Sequence, residues 1–259
     1  MEPDQTLIVV AARAETNEEL EPLLQTLVSV TATAPGATVL VVDDRSPAEQ
    51  AQMIEVAATE LECAYVMQQD GDGTSAAFNV GLTVAAEHEL DTCLVSAGVV
   101  FRSPGWLERL RHRTASDGQL APVAGGATLN PHGTIRQAGY FFSLFRRDWS
   151  ARLGNVPEVM LDVDDPRACP VGSEVQLIRR ALVQSVGLYD EGMEGPHAAL
   201  DYCLRVIAEG GECILEPTVR AYGLTELEGE PDYKLPIAQA LRRKHADMSF
   251  AAYSPLVLG

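Results

Sequence analysis

Residues 38–47 read Thr-Val-Leu-Val-Val-Asp-Asp-Arg-Ser-Pro. Thr38 to Val42 form an unbroken β-branched and aliphatic run with no polar alternation. That is the pattern of a strand covered on both faces. The run passes directly into Asp43-Asp44-Arg45 and then Ser46-Pro47. Ser46 is a natural N-cap, Pro47 suits the first helical position, and Glu49 closes a capping box. A buried strand feeding a helix through a short polar turn is half of a β-α-β unit. It places Asp43 and Asp44 at the carboxyl end of the strand, where open α/β sheets take their ligands.

The same alternation extends in both directions. Thr6 to Ala12 (TLIVVAA) reads as a buried strand. Thr16 and Glu19 form a capping box for a helix whose apolar face carries Leu20, Leu23, Leu24, Leu27 and Val28. Pro35 and Gly36 end it. Downstream, the helix opened at Ser46 runs to about Glu60, and Cys63 to Met67 is a shorter strand. The loop Gln69-Asp70-Gly71-Asp72-Gly73 leads to a helix over Ser75 to Glu87, and Thr92 to Ser96 is a fourth strand. Ser103 and Pro104 start a helix with Trp106, Leu107 and Leu110. Strands and helices alternating in this way predict an α/β fold with a central, mostly parallel sheet covered on both faces.

The second half is less regular. Gly125 to Gly139 carries turn signals around Asn130-Pro131-His132-Gly133, and Glu158 to Pro170 reads as an acidic loop. Glu174 to Val186 reads as a strand end plus helix, and Leu200 to Glu209 as a helix. Cys213 to Leu215 and Thr218 to Tyr222 read as short strands, and Lys234 to Phe250 as a C-terminal helix. No linker composition interrupts the chain, so a single domain over 1–259 is expected.

The chain has 259 residues, 46% hydrophobic and 22% charged, which suffices for a sizeable core and argues against disorder. A net charge of −18 repels nucleic acid and anionic membranes. Cys63, Cys93, Cys169, Cys203 and Cys213 are scattered and form no C-x-x-C, as buried reduced thiols do. No apolar run approaches the ~20 residues of a membrane span. Glu2 and Asp4 stand where a basic leader would lie, so a cytoplasmic protein is expected. No G-x-G-x-x-G follows the first strand, and neither a P-loop nor a G-x-S-x-G elbow occurs, which lowers the dehydrogenase, P-loop and hydrolase readings.

Several segments, in their order and spacing, resemble the family 2 glycosyltransferases of GT-A fold, closest to the rhamnosyltransferase-like branch. The resemblance covers roughly residues 6–222. Val41 to Pro47 resembles the nucleotide-binding strand end, and Asp72 to Gly81 (DGTSAAFNVG) resembles an N-x-G-x-x-x-A-x-N-x-G helix start. Phe101 to Leu110 resembles the segment after the metal motif, and Asn130 to Gly139 a loop of the rhamnosyltransferase branch. Gly187 to Glu191 resembles a vGgfDE turn, and Asp201 to Arg205 (DYCLR) a DlclR helix.

The resemblance implies an inverting transfer of a sugar from a nucleoside diphosphate sugar to an unknown glycan or protein acceptor. It makes 1–115 the nucleotide-binding half, and 116–259 the acceptor-side half with the C-terminal helix. It implies donor contacts from Ala11, Arg13, Asp43, Asp44, Asp72, Gly73, Ala77, Asn79, Ser96 and Gly98, with Asp201 supporting the site. The sequence departs from the family twice. Ser96-Ala97-Gly98 occupies the place of the Asp-x-Asp that holds a divalent Mn or Mg, and none of the three is a strong ligand for a hard cation. Ala198-Ala199 occupies the place of the acidic pair that supplies the base. A place for the metal is therefore not expected.

Alternative readings stand beside these. Asp43 and Asp44 also suit a helix start by their charge. Ala76, Ala77 and Gly81 also suit a helix packed tightly on a sheet, and Asp201 can pair with Arg205 one turn on. His197 precedes the missing acidic pair and is a candidate base, or a surface histidine after Pro196. Asp162, Asp164 and Asp165 are a displaced metal site or an exposed acidic loop. Arg13, Arg45, Arg102, Arg136, Arg179 and Arg180 are candidates to neutralise a diphosphate without a metal, or solvated surface charges. At the level of the whole chain, a catalytically inactive nucleotide-sugar-binding or interaction module is the alternative. A nucleotidyltransferase or dehydrogenase on a similar sheet is a weaker one.

Overall fold

The computed structural model describes residues 6–114, 123–145, 148–162, 164, 167–193, 195–224 and 235–253. Of the acidic cluster, Asp165 lies outside them.

The first half is β1 (Thr6–Ala12), α1 (Asn17–Thr33), β2 (Thr38–Asp43), α2 (Ala48–Glu60), β3 (Ala64–Met67), α3 (Gly73–Glu87), β4 (Asp91–Ser96), β5 (Val99–Val100) and α4 (Trp106–Thr114). The second half is β6 (Val123–Leu129), β7 (Ile135–Gln137), β8 (Tyr140–Ser143), β9 (Asp148–Ala151), β10 (Arg167–Ala168), β11 (Val175–Ile178), α5 (Arg180–Val186), α6 (Pro196–Ala208), β12 (Cys213–Gly223) and α7 (Leu235–Lys244).

One sheet runs in the order β10-β12-β6-β11-β4-β1-β2-β3, with β5 on β12 and β7 on β6. Strands β3, β2, β1 and β4 are mutually parallel. β11 enters antiparallel between β4 and β6, and β12 returns parallel to β6. β8 and β9 form a separate hairpin.

All seven residues of β1 are buried, and alternate ones feed different cores. Leu7, Val9 and Ala11 join α3 and α6 on one face, whereas Ile8, Val10 and Ala12 join α1, α2 and α4 on the other. That two-sided burial is why the strand reads as an unbroken apolar run. All five cysteines are free thiols, four of them buried. Among the described residues, no helix is long and apolar enough to cross a membrane.

Several local readings are corrected. Ser46 does not cap α2. Its hydroxyl accepts the Ala14 amide at 3.0 Å, so the helix starts after Pro47. At α1, by contrast, Thr16 Oγ1 does accept the Glu19 amide at 3.3 Å. The turn falls at Asn130 to Gly133 as its residues indicate, and Gly125 and Gly126 before it lie within strand β6. A Cβ on either would strike Val171 or Val219, so glycine here permits close packing across the sheet. The two short strands around Pro217 are one strand, β12, whose register shifts between Glu216 and Arg220. Helix α6 begins at Pro196, earlier than the Leu200 its apolar spacing suggested, and α7 ends at Lys244.

Candidate functional site at the carboxyl edge of the sheet

Backbone register brings three strand ends side by side. Ala12 pairs with Asp43, and Ala11 pairs with Ser96. The loops after β1, β2, β3 and β4 therefore leave from one edge, which also holds the start of α3.

The corner at Asp43 and Asp44 is tightly wired. Asp43 is fully buried; its Oδ1 accepts the Ser46 amide at 2.9 Å and its Oδ2 the Tyr65 hydroxyl at 2.8 Å. Asp44 is 3% exposed. Its Oδ1 accepts Gln68 Nε2 at 2.5 Å, and its Oδ2 accepts the Gly73 amide at 2.9 Å and Arg13 Nη1 at 3.2 Å. Asp44 thus occupies the N-terminus of α3 from a neighbouring strand, where an anion is favoured. Arg13 and Arg45 both reach Asp72, at 3.3 and 3.0 Å. Hydrogen bonds to Glu15 first and Asp44 second hold the Arg13 guanidinium firmly charged. Arg13, Arg45 and Asp72 are the solvent-facing members of this corner. Gln68 and Tyr65, which sequence reasoning missed, carry no motif. Only their position after or on an edge strand brings them to the carboxylates.

Ser96 and Gly98 lie beside that corner. Ser96 Oγ donates to the Ser173 carbonyl at 3.2 Å, and its amide to the Glu174 carbonyl at 3.1 Å. Gly98 has φ +82, and a Cβ there meets nothing within 4 Å. One stripe of α1 seats the segment that follows. The Gly98 amide donates to Thr26 Oγ1 at 2.9 Å, the Phe101 amide to Ser29 Oγ at 3.3 Å, and Trp106 Nε1 to Thr33 Oγ1 at 2.9 Å. Spacings of three and four place those hydroxyls on one helix face. Thr26→Val is expected to orphan the Gly98 amide and cost about 1–3 kcal/mol. Urea unfolding measures it, and a midpoint equal to wild type counts against this seating.

Two arginines flank this segment. The Arg102 guanidinium stacks over the Tyr222 ring at 3.8 Å. Arg136 fills the space a Gly223 side chain would take, its Cζ 2.7 Å from that Cβ position. Gly223 pairs with Val99, next to Gly98. Burial lowers the Arg136 pKa while Glu174 pulls it up.

The remaining candidates have other surroundings. Ala77 is buried in α3. Asn79 staples α3 to the turn before α6: its Nδ2 donates to the Tyr189 carbonyl and to Glu191 Oε1, both at 3.0 Å, and its Oδ1 accepts the Tyr189 amide at 2.8 Å. His197 is buried, and burial lowers its pKa against the opposing charge of Asp148 on β9. Asp201 is fully buried and ringed by Arg205, Lys244 and His245. Arg205 Nε lies 2.9 Å from its Oδ2; Lys244 Nζ and His245 Nε2 lie 2.9 and 2.8 Å from its Oδ1. It therefore ties α6 to the residues ending α7. Ala198 and Ala199 are packed into the core at the start of α6.

Among the described residues, no three His, Cys, Asp or Glu side chains gather as a metal-ligand set. Ser96, Ala97 and Gly98 supply no carboxylate at the end of β4. The residues at this place do not fit a hard divalent cation.

No protein-family model matches the chain, and no curated protein matches it by sequence. Solved structures do match. A crystal structure of GalNAc-T7 with UDP, GalNAc and Mn2+ superposes with TM-score 0.67 at 17% identity, covering 96% of this chain and 55% of that one. The mannosyltransferase PcManGT from Pyrobaculum calidifontis, in complex with GDP-Man and Mn2+, gives 0.56 at 14% identity, covering 93% and 61%. TarS of S. aureus gives 0.58 at 13% identity, covering 96% and 41%. The chain spans about half the length of the first of these proteins. With its parallel β3-β2-β1-β4 half, its inserted antiparallel strand and these neighbours, the chain has the GT-A fold.

Proposed function

We propose that the chain binds a nucleoside diphosphate sugar across the ends of β1, β2 and β4, and transfers the sugar with inversion to an acceptor hydroxyl, as a relative of the rhamnosyltransferase-like family 2 enzymes. The acceptor oxygen bonds to the anomeric carbon as the carbon–oxygen bond to the β-phosphate breaks, and the nucleoside diphosphate leaves with the electron pair. The observation that carries this reading is the register of Ala11 and Ala12 with Ser96 and Asp43, which makes one shared rim of three strand ends. Neighbours of the same fold hold UDP or GDP-Man in their structures.

Ala11, Arg13, Asp44, Asp72 and Gly73 would border the base and ribose, with Asp43 holding the turn that aims Asp44. Ser96 and Gly98 would border the diphosphate. In a protein of charge −18, that dianion needs local compensation. Arg13, Arg102 and Arg136 supply it here, since guanidinium pairs well with phosphate oxygens. Asp201 and His197 act through structure in this reading, as anchors of α6.

Calorimetry with UDP, GDP and dTDP, with and without Mn2+ or EDTA, tests the reading, together with turnover of the matching hexose donors. One nucleotide is expected to bind with an affinity that EDTA changes less than threefold. Arg13→Ala should weaken it roughly tenfold, the worth of a charge-assisted hydrogen bond. Complete loss on chelation would refute the metal-independent part, and no binding of any nucleotide would refute the donor site. The buried alanines at 198 and 199 favour a second reading, a module that binds a donor without turning it over. Binding without turnover decides for that one.

A further inference from the structure

Strand β11 runs against its neighbours, so its beginning rather than its end reaches the carboxyl edge. Val175 pairs with Val95, and Glu174 therefore stands next to Ser96, whose amide donates to its carbonyl. Alternation along the strand fixes the face. Val175 and Leu177 belong to the core under α1 and α4. Gln176 points the other way, donating to Cys203 Sγ of α6 at 3.5 Å and accepting the Tyr189 hydroxyl. Glu174 lies one step of two residues further toward the rim, on the same face as Gln176.

Helix α6 covers that face, and its start is at the same rim. Only Glu209 to Glu212 separate α6 from β12, and β12 runs toward the carboxyl edge. The end of α6 is therefore at the far edge, and Pro196 to Ala199 are at the near one. Resemblance places the base at Ala198-Ala199, and there α6 carries only methyl groups.

The surroundings of Glu174 make room for a carboxylate and keep it partnered. The Glu174 carboxyl lies over Gly172, where a Cβ would meet its Oε2 and would lie 3.1 Å from Gln137 Nε2, so a larger residue there would have to displace the carboxyl. Arg136 of β7 is the charged group acting on it. The carboxyl is pushed up from the usual glutamate range by burial, against its own backbone amide and Arg136. As a residue Glu174 keeps intermediate exposure at the rim, with its carboxyl the deeply set part.

We infer that Glu174 is the general base of the transfer, standing on β11 in place of a carboxylate at the start of α6. This rests on the donor-binding reading above. The acceptor hydroxyl gives its proton to the Glu174 carboxylate as its oxygen attacks the anomeric carbon, and the nucleoside diphosphate departs with the bonding pair. Water serves as acceptor in the absence of a sugar: its proton goes to Glu174 and its hydroxyl to the anomeric carbon.

The test uses the full chain, with UDP-, GDP- and dTDP-linked hexoses as donors and water as acceptor. Nucleotide affinity is measured in parallel by calorimetry. Glu174→Gln keeps size and hydrogen-bonding capacity, and is expected to lower donor hydrolysis at least 100-fold, the usual scale of a general base. Nucleotide affinity should stay within threefold. The wild-type rate should rise with pH through an apparent pKa above that of free glutamate, and the variant should lose that limb. A structural ion pair with Arg136 alone would leave the pH limb in place. Hydrolysis unchanged in Glu174→Gln overturns the inference, and so does wild-type binding without hydrolysis. Absence of nucleotide binding fails the donor site itself, and with it this inference.

Discussion

Asp201→Ala is expected to remove about 3–5 kcal/mol of stability, the usual consequence of stripping one partner from a buried ion cluster. The carboxylate is wholly enclosed and faces Arg205, Lys244 and His245. Its loss leaves cations without a counter-charge at the junction of α6 and α7. Lys244 retains Asp190 at 2.5 Å, and Arg205 retains the carbonyls of Val186 and Leu188 at 2.8 and 2.7 Å, so α6 itself should persist. The expected result is a lower unfolding midpoint together with early hydrogen exchange across residues 235–244.

The pH dependence has a definite sign. Burial raises the Asp201 pKa, but hydrogen bonds from His245 and Lys244 and the charge of Arg205 outweigh it and hold it at about 2. A depressed carboxylate stabilises the fold above its unfolded pKa of about 3.9, and loses that contribution as pH falls toward the folded value. Wild type and Asp201→Ala should therefore converge in stability between about pH 4 and pH 2. A constant gap over that window would show that the charge of Asp201 is not what stabilises the junction.

Gly81→Val is the second large effect, expected at about 3 kcal/mol or more. An ideal Cβ at Gly81 would stand 2.5 Å from Val9 Cγ2 and 2.9 Å from Val9 Cβ. Val9 lies in the middle of β1, itself hydrogen-bonded on both sides, so the strand cannot yield. Replacing glycine in a helix gains a few tenths of a kcal/mol in propensity for valine, too little to offset overpacking of about 1–3 kcal/mol or more. Displacing α3 also moves the Gly73 amide away from Asp44, so nucleotide affinity should fall along with stability. Val9→Ala removes both γ-carbons. The double variant should recover at least about 1 kcal/mol relative to the sum of the singles. Additive losses would mean that α3 and β1 meet elsewhere.

The alternating half of the fold was legible because burial on both faces leaves unbroken apolar runs at Leu7 to Ala12, Val39 to Val42 and Cys93 to Val95, and helices between them carry a clear stripe. β6 was not read as a strand: the glycines of Val-Ala-Gly-Gly-Ala-Thr-Leu answer to Val171 and Val219, which are distant in sequence. The shared rim followed from strand ends alone, and so did the position of Asp44. The wiring within it did not, because Ser46 turned from α2 toward Ala14, and Asn79 toward the turn at Tyr189. The pairing of Asp201 with Arg205 one turn on was legible from spacing, but Lys244 and His245 lie more than 40 residues away, beyond any local pattern. Glu174 escaped notice because strand direction, which no spacing encodes, decides which end of β11 reaches the rim.

Strand β11, reversed between β4 and β6, gives this rim two kinds of supplier. On the β1–β2 side, residues enter as chain leaving the sheet, rooted in helices that begin at once. At β11 they enter as chain arriving, preceded by the run from Cys169 to Ser173 with its small, closely fitted glycine. Substitutions in that incoming run can therefore reshape the β11 side of the rim while the corner at Asp43 and Asp44 keeps its own scaffold.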